Sequence, residues 1–147
     1  MAYRKDWTNM QTGPMGFGAT MKTIGRRVAI NGTAVTGDNV TGNTVGAFKV
    51  PAGFMVTGIF AASTDLDAGT NAMTLSVGDA ALGTRYLNAS VIGQAGTTVS
   101  AFTTPVAGTN LLFLNTVDTE ILITFTLGAT VPAAGTIDLY LVGFMAQ

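Results

Sequence analysis

The sequence predicts an all-β fold: an antiparallel two-sheet β-sandwich, jelly-roll-like, with an extended N-terminal arm. Three observations predict it. Apolar and polar residues alternate over short stretches, most clearly in residues 119–127, where Ile121, Ile123, Phe125 and Leu127 share one face and Glu120, Thr124 and Thr126 the other. Turn-forming residues recur between these stretches, and 19 glycines argue against a sustained helical period. Threonine occurs 24 times, which suits strands with a hydroxylated outer face.

Residues 1–20 read as the arm. Gly13, Pro14, Gly16 and Gly18 break any helix there. Trp7, Met10, Met15 and Phe17 are more large apolar groups than a solvated tail carries, so the arm should lie against its own domain or a neighbour. The sandwich domain is expected over 21–147, with strands near 22–30, 44–50, 54–62, 72–78, 84–88, 97–103, 110–115, 119–127 and 136–144. Turn signals such as Asn31-Gly32, Pro51-Ala52-Gly53 and Gly69-Thr70-Asn71 separate them. The strand at 72–78 points Met73, Leu75 and Val77 inward. The last strand points Ile137, Leu139 and Leu141 inward; its other face turns apolar toward Tyr140, Val142 and Phe144, a candidate contact surface. Alternation alone does not set the strand order.

A chain of 147 residues is one domain with room for a real core. No cysteine means no disulfide, iron–sulfur cluster or thiolate zinc site, and no histidine removes the usual base near neutral pH. Seven basic and eight acidic residues amount to 10% charged, against about a quarter in ordinary domains. So little charge implies that partners cover much of the outside. The charge is also unevenly placed. Arg4, Lys5, Lys22, Arg26 and Arg27 against Asp6 give residues 1–27 a charge of +4, and the remainder carries −5. A basic arm on an acidic body suits docking to a protein surface of opposite sign; the plainer reading is a solvated tail. No aromatics interleave with the basic residues, so nucleic acid is not an expected partner. No apolar run approaches a membrane span, and no secretory signal opens the chain.

Residue types that do chemistry are sparse. A Ser–Lys nucleophile would need Lys5, Lys22 or Lys49, which sit in the arm or at strand ends. Asp118 and Glu120 are spaced to share the outer side of a strand start, as two solvated acids rather than a glycosidase pair. Asp65, Asp67 and Asn71 alternate oxygen donors in a glycine-containing loop, a weak calcium candidate; the favoured reading is side chains capping their own loop. Gly16-Phe17-Gly18 lacks the rest of a nucleotide fingerprint. No catalytic residue and no cofactor is expected.

The stretch from Phe48-Lys-Val-Pro51 through Gly58-Ile-Phe, the run Thr64-Asp-Leu-Asp67 through Gly78-Asp79, the segment Thr84-Arg-Tyr-Leu-Asn-Ala-Ser90 and the ending Ala133-Ala-Gly-Thr-Ile-Asp-Leu-Tyr140 resemble a group of small tailed-phage virion proteins. The resemblance covers about residues 44–141 and leaves out the arm. It implies a capsid decoration (cement) protein, bound to the outside of the major capsid protein shell, often as a trimer. On that reading the partner-binding residues are Trp7, Phe17, Arg4, Lys5, Lys22, Arg26, Arg27, Tyr140 and Phe144. The alternative is a receptor- or glycan-binding domain of a fibre or head spike, with Tyr86 and Phe102 as the nearest sugar-stacking candidates.

Overall fold

The structure, a computed structural model, describes residues 21–69, 72–101 and 112–145. Among them are the strands β1 (Lys22–Ile30), β2 (Thr44–Val50), β3 (Phe54–Ser63), β4 (Thr74–Gly78), β5 (Leu87–Ser90), β6 (Thr98–Ala101), β7 (Phe113–Leu114), β8 (Thr119–Leu127) and β9 (Gly135–Met145). The arm lies outside the described residues.

Strand pairing follows one rule. β1 pairs with β9, β2 with β8, β3 with β6 and β7, and β4 with β5, all antiparallel. The chain is thus a single long ribbon that doubles back at the β4–β5 connection. Rolling the ribbon brings β9 onto β3 and β8 onto β4. The result is one sheet ordered β1-β9-β3-β6, with β7 also on β3, facing a second ordered β2-β8-β4-β5. That is jelly-roll connectivity, and the sandwich expected from the sequence is the fold.

The core lies between the sheets and is built from the inward half of each alternating stretch. Phe54, Ile59, Leu75, Ile121, Ile123, Phe125, Ile137, Leu139 and Leu141 are fully buried. Each contributes roughly 1.5–3 kcal/mol by leaving water. Leu66 and Met73 belong to the same core.

The main departure from the expected strands is at β5, which begins at Leu87 rather than near 84. Asp79 causes it. Its Oδ1 accepts hydrogen bonds from Ala81 N (2.9 Å) and Leu82 N (2.8 Å), and Arg85 N donates to the Leu82 carbonyl, so Thr84–Tyr86 finish a turn before the ladder starts. β7 is likewise cut to two residues.

Candidate functional site

The two sheets present different outer faces. On the β2-β8-β4 sheet the outer face is hydroxylated: the Thr44 and Thr124 hydroxyls meet at 3.2 Å, and those of Thr74 and Thr126 at 2.9 Å. Such threonine pairs stabilise neighbouring strands and are wettable.

The outer face of the β1-β9-β3 sheet is apolar over most of its area. Register assigns its rows, because residues directly opposite each other point to the same side. Phe144, Met55 and Leu114 form one row, Thr23, Val142 and Gly58 the next, Gly25, Tyr140 and Phe60 the third. Phe60 is 40% exposed and Leu114 38%. The fourth row is Arg27, Asp138 and Ala62. There the Arg27 guanidinium grips the Asp138 carboxylate with both Nε and Nη2, each at 2.7 Å. The hydrogen bond and charge of Arg27 hold the Asp138 carboxyl below its ordinary pKa. The charges on that row are therefore internally neutralised.

β1 is the free edge of this sheet, and it carries Lys22, Arg26 and Arg27, all exposed. By register Arg27 stands on the outer face, held by Asp138, whereas Lys22 and Arg26 fall on the opposite side of the strand, in line with Gly143 and Leu139; cationic edge strands resist unwanted pairing. Five of the sequence-derived contact residues, Lys22, Arg26, Arg27, Tyr140 and Phe144, fall on β1 or on the adjoining β9. Trp7, Phe17, Arg4 and Lys5 lie outside the described residues.

Sequence reasoning missed Phe60, Met55 and Leu114. For Phe60 the cause is a β-bulge. The register between β3 and β9 shifts between Val56 and Gly58, so alternation restarts after Thr57. Counting by twos from Phe54 would turn Phe60 inward; the bulge turns it out, and Ile59 and Ala61 take the core positions.

Asp65 and Asp67 act as caps of their own loop. Asp67 is buried, and its Oδ1 accepts from Gly69 N (3.1 Å), Thr130 Oγ1 (2.8 Å) and Val131 N (3.0 Å), while Oδ2 accepts from Ala72 N (3.2 Å). Burial pushes the Asp67 pKa up, but the Val131, Thr130 and Gly69 hydrogen bonds outweigh it and leave the group strongly acidic. Asp65 Oδ1 accepts from Asp67 N at 3.0 Å. These oxygens are spent on backbone N–H groups and the Thr130 hydroxyl; Asn71, the third calcium candidate, lies outside the described residues. No group of three or more acidic, histidine or cysteine residues spaced to hold a metal occurs among the described residues.

A cleft of about 400 Å³ opens beside the β7–β8 connection, lined by Arg85, Phe113, Asp118, Glu120 and Leu122 among others. Arg85 and Asp118 are engaged within the chain. Arg85 Nε donates to Asp79 Oδ2 at 2.5 Å, and the guanidinium lies 3.7 Å from the centre of the Phe113 ring. Asp118 Oδ1 accepts from Ala52 N at 2.9 Å, and Glu120 stands opposite Lys49 in the β2–β8 ladder. Tyr86, considered above for sugar stacking, is a core residue: it is 1% exposed and its hydroxyl faces Asn115 Oδ1 at 3.4 Å. Phe102 lies outside the described residues.

The chain matches no protein-family model and no curated protein sequence. Among solved structures it is similar to a chain of the Cyanophage Pam1 capsid asymmetric unit, with 31% identity, a TM-score of 0.72 and 88% of each chain covered. It is also similar in fold to a chain of the capsid of Ralstonia phage GP4, with 18% identity, a TM-score of 0.69, and 87% of this chain and 86% of that one covered. At that coverage the Pam1 identity carries family and not fold alone, and the chain belongs to the phage capsid virion proteins that this Pam1 component represents.

Proposed function

We propose that this virion protein is a decoration, or cement, protein: it binds the outer surface of the major capsid protein shell, as a trimer, and stabilises it. The carrying observation is the difference between the two outer faces. The threonine-lined sheet is built to face water, whereas the face bearing Phe60, Tyr140 and Phe144 is built to be covered. Lys22 and Arg26, exposed on the edge strand β1, suit a shell surface of acidic character, and add approach rate and orientation more than affinity. Many copies on one shell multiply a modest contact, because each stabilises its neighbours' placement.

The test uses purified expanded shells that lack the protein. Added protein is expected to bind saturably, to appear outside the shell in cryo-electron microscopy, and to raise the temperature at which shells release their contents. Binding should weaken as salt rises, because exposed charges are screened over about 10 Å at 0.1 M. Failure to bind shells, or an unchanged release temperature at full occupancy, would sink the proposal.

A further inference from the structure

The apolar face of the β1-β9-β3 sheet needs an occupant, and the chain itself contains a segment of matching chemistry. We propose that residues 7–20 of one copy lie on this face of a neighbouring copy, so that the assembly closes by exchange of arms. This rests on the trimeric reading above and names the contact that holds the trimer.

The first argument is chemical. From Trp7 to Met21 the sequence contains no charged residue, and it carries Trp7, Met10, Met15 and Phe17. The face is uncharged apart from the Arg27–Asp138 pair, whose charges cancel each other. Buried apolar contact between such surfaces leaves no ion stranded. The charged tip, Arg4-Lys5-Asp6, lies beyond this neutral stretch and stays free for other partners.

The second argument is reach and direction. Fourteen residues extend to roughly 46 Å at about 3.3 Å each. The sheet is only about 14 Å across from β1 to β6 at about 4.8 Å per strand. The arm joins the fold at Lys22, which stands opposite Gly143 at the end of the sheet where Phe144, Met55 and Leu114 meet. β1 runs away from that end, so an arm extended in line with β1 would leave the sheet there. A neighbour placed there receives the arm without a reversal, whereas covering the home face requires the chain to turn back at once. Arm and face are different surfaces, so the contact is heterologous, and it closes into a ring in which every copy gives one arm and receives one.

Trp7 is the sole tryptophan, so its fluorescence reports the arm directly. In the assembled wild-type protein we expect a blue-shifted emission and a several-fold weaker quenching by acrylamide. Both should be lost on dilution, in step with dissociation seen by sedimentation. A full-length Phe60→Glu protein, whose face is spoiled, should show a solvent-exposed Trp7. Mixing it with full-length Trp7→Ala protein, whose face is intact and which is dark in this channel, should restore shielding. Circular dichroism checks that Phe60→Glu folds, and Phe60→Thr replaces it if it does not.

An indole that stays shielded in the dilute monomer would assign the arm to its own face and overturn exchange. An exposed indole in the wild-type trimer would overturn it as well. Shell occupancy is measured separately. Restored shielding on mixing without shell binding supports exchange while sinking the decoration role, and shell binding by a trimer with exposed Trp7 does the reverse.

Discussion

The Tyr140 ring lies against Gly25 across the β1–β9 pair: a β-carbon on Gly25 would stand 2.8 Å from Tyr140 Cδ1 and 2.6 Å from Tyr140 Cα, and would also collide with the Leu139 carbonyl oxygen. The glycine lets an aromatic side chain fold down over the edge strand. Gly25→Val should lift the ring and bend β1, at a cost of about 1–3 kcal/mol, the usual range for an overpacked site. The urea midpoint measures it. A variant as stable as the parent would mean that the edge strand yields freely.

Asp67 ties the 65–72 loop to the segment before β9. Asp67→Ala should cost about 2–3 kcal/mol, because the Gly69, Ala72 and Val131 N–H groups and the Thr130 hydroxyl each lose an acceptor on the buried Asp67 carboxylate. The charge also fixes a pH dependence. The folded-state pKa is depressed, so the stabilisation is complete above the unfolded value of about 3.9 and is lost as pH falls toward the folded value. Tyr86 sets the opposite limit, since burial pushes its pKa up to about 12. Stability should then fall as pH rises from about 10, the unfolded value, toward 12. Unfolding free energies measured from pH 2 to 12 should trace a plateau with both shoulders. In Asp67→Asn the acid shoulder should shrink.

Arg85 and Asp79 form a pair buried beneath the Phe113 ring. Removing only the cation strands a carboxylate, so Arg85→Met should cost about 3–5 kcal/mol. The double change Arg85→Met with Asp79→Asn should recover part of that loss, because it removes the uncompensated charge. Thermal unfolding of the three proteins decides it. A double variant no better than the single would show that Asp79 acts through the Ala81 and Leu82 N–H groups it caps.

How far the sequence could be read follows from which rules are local. The alternation in β8 and β9 is local and gave both strands with their core residues. Asp67 was legible as a loop cap, because Asp before glycine does that work within a few residues. Phe60 was not legible: one bulge at Thr57 inverts the parity of everything after it, and nothing in the side chains announces the extra residue. The start of β5 was hidden for a similar reason. Arg85 folds back onto Asp79, a tertiary choice that the β-favouring run Thr84–Leu87 does not disclose. The sheet order depends on contacts between opposite ends of the chain, beyond any window of periodicity.

Deleting residues 1–20 removes no member of the described core, which runs from Val28 to Leu141. The truncated protein should keep its melting temperature within a few degrees and bind shells less well. Trp7→Ala in the full-length protein should lower shell occupancy in the same direction. Collapse of the truncated fold in circular dichroism would make the arm part of the core.

The doubled-back ribbon has a consequence for how the chain comes to be folded at all. Lys22 meets Gly143, so the outermost pairing joins residues separated by nearly the whole described sequence, and among the described strands the local β4–β5 turn is where a ladder can start cheaply. Closure entropy must be met before the long-range pairs give anything back, which places folding in the slow range of roughly milliseconds to seconds. On the ribosome β1 waits for β9, the last of the described strands to emerge. Until then β3 also lacks β9 as a neighbour, and the apolar side chains that later form the outer face are open to any passing partner. A supply of quickly completed chains, rather than high intrinsic stability, should therefore limit the yield of soluble protein.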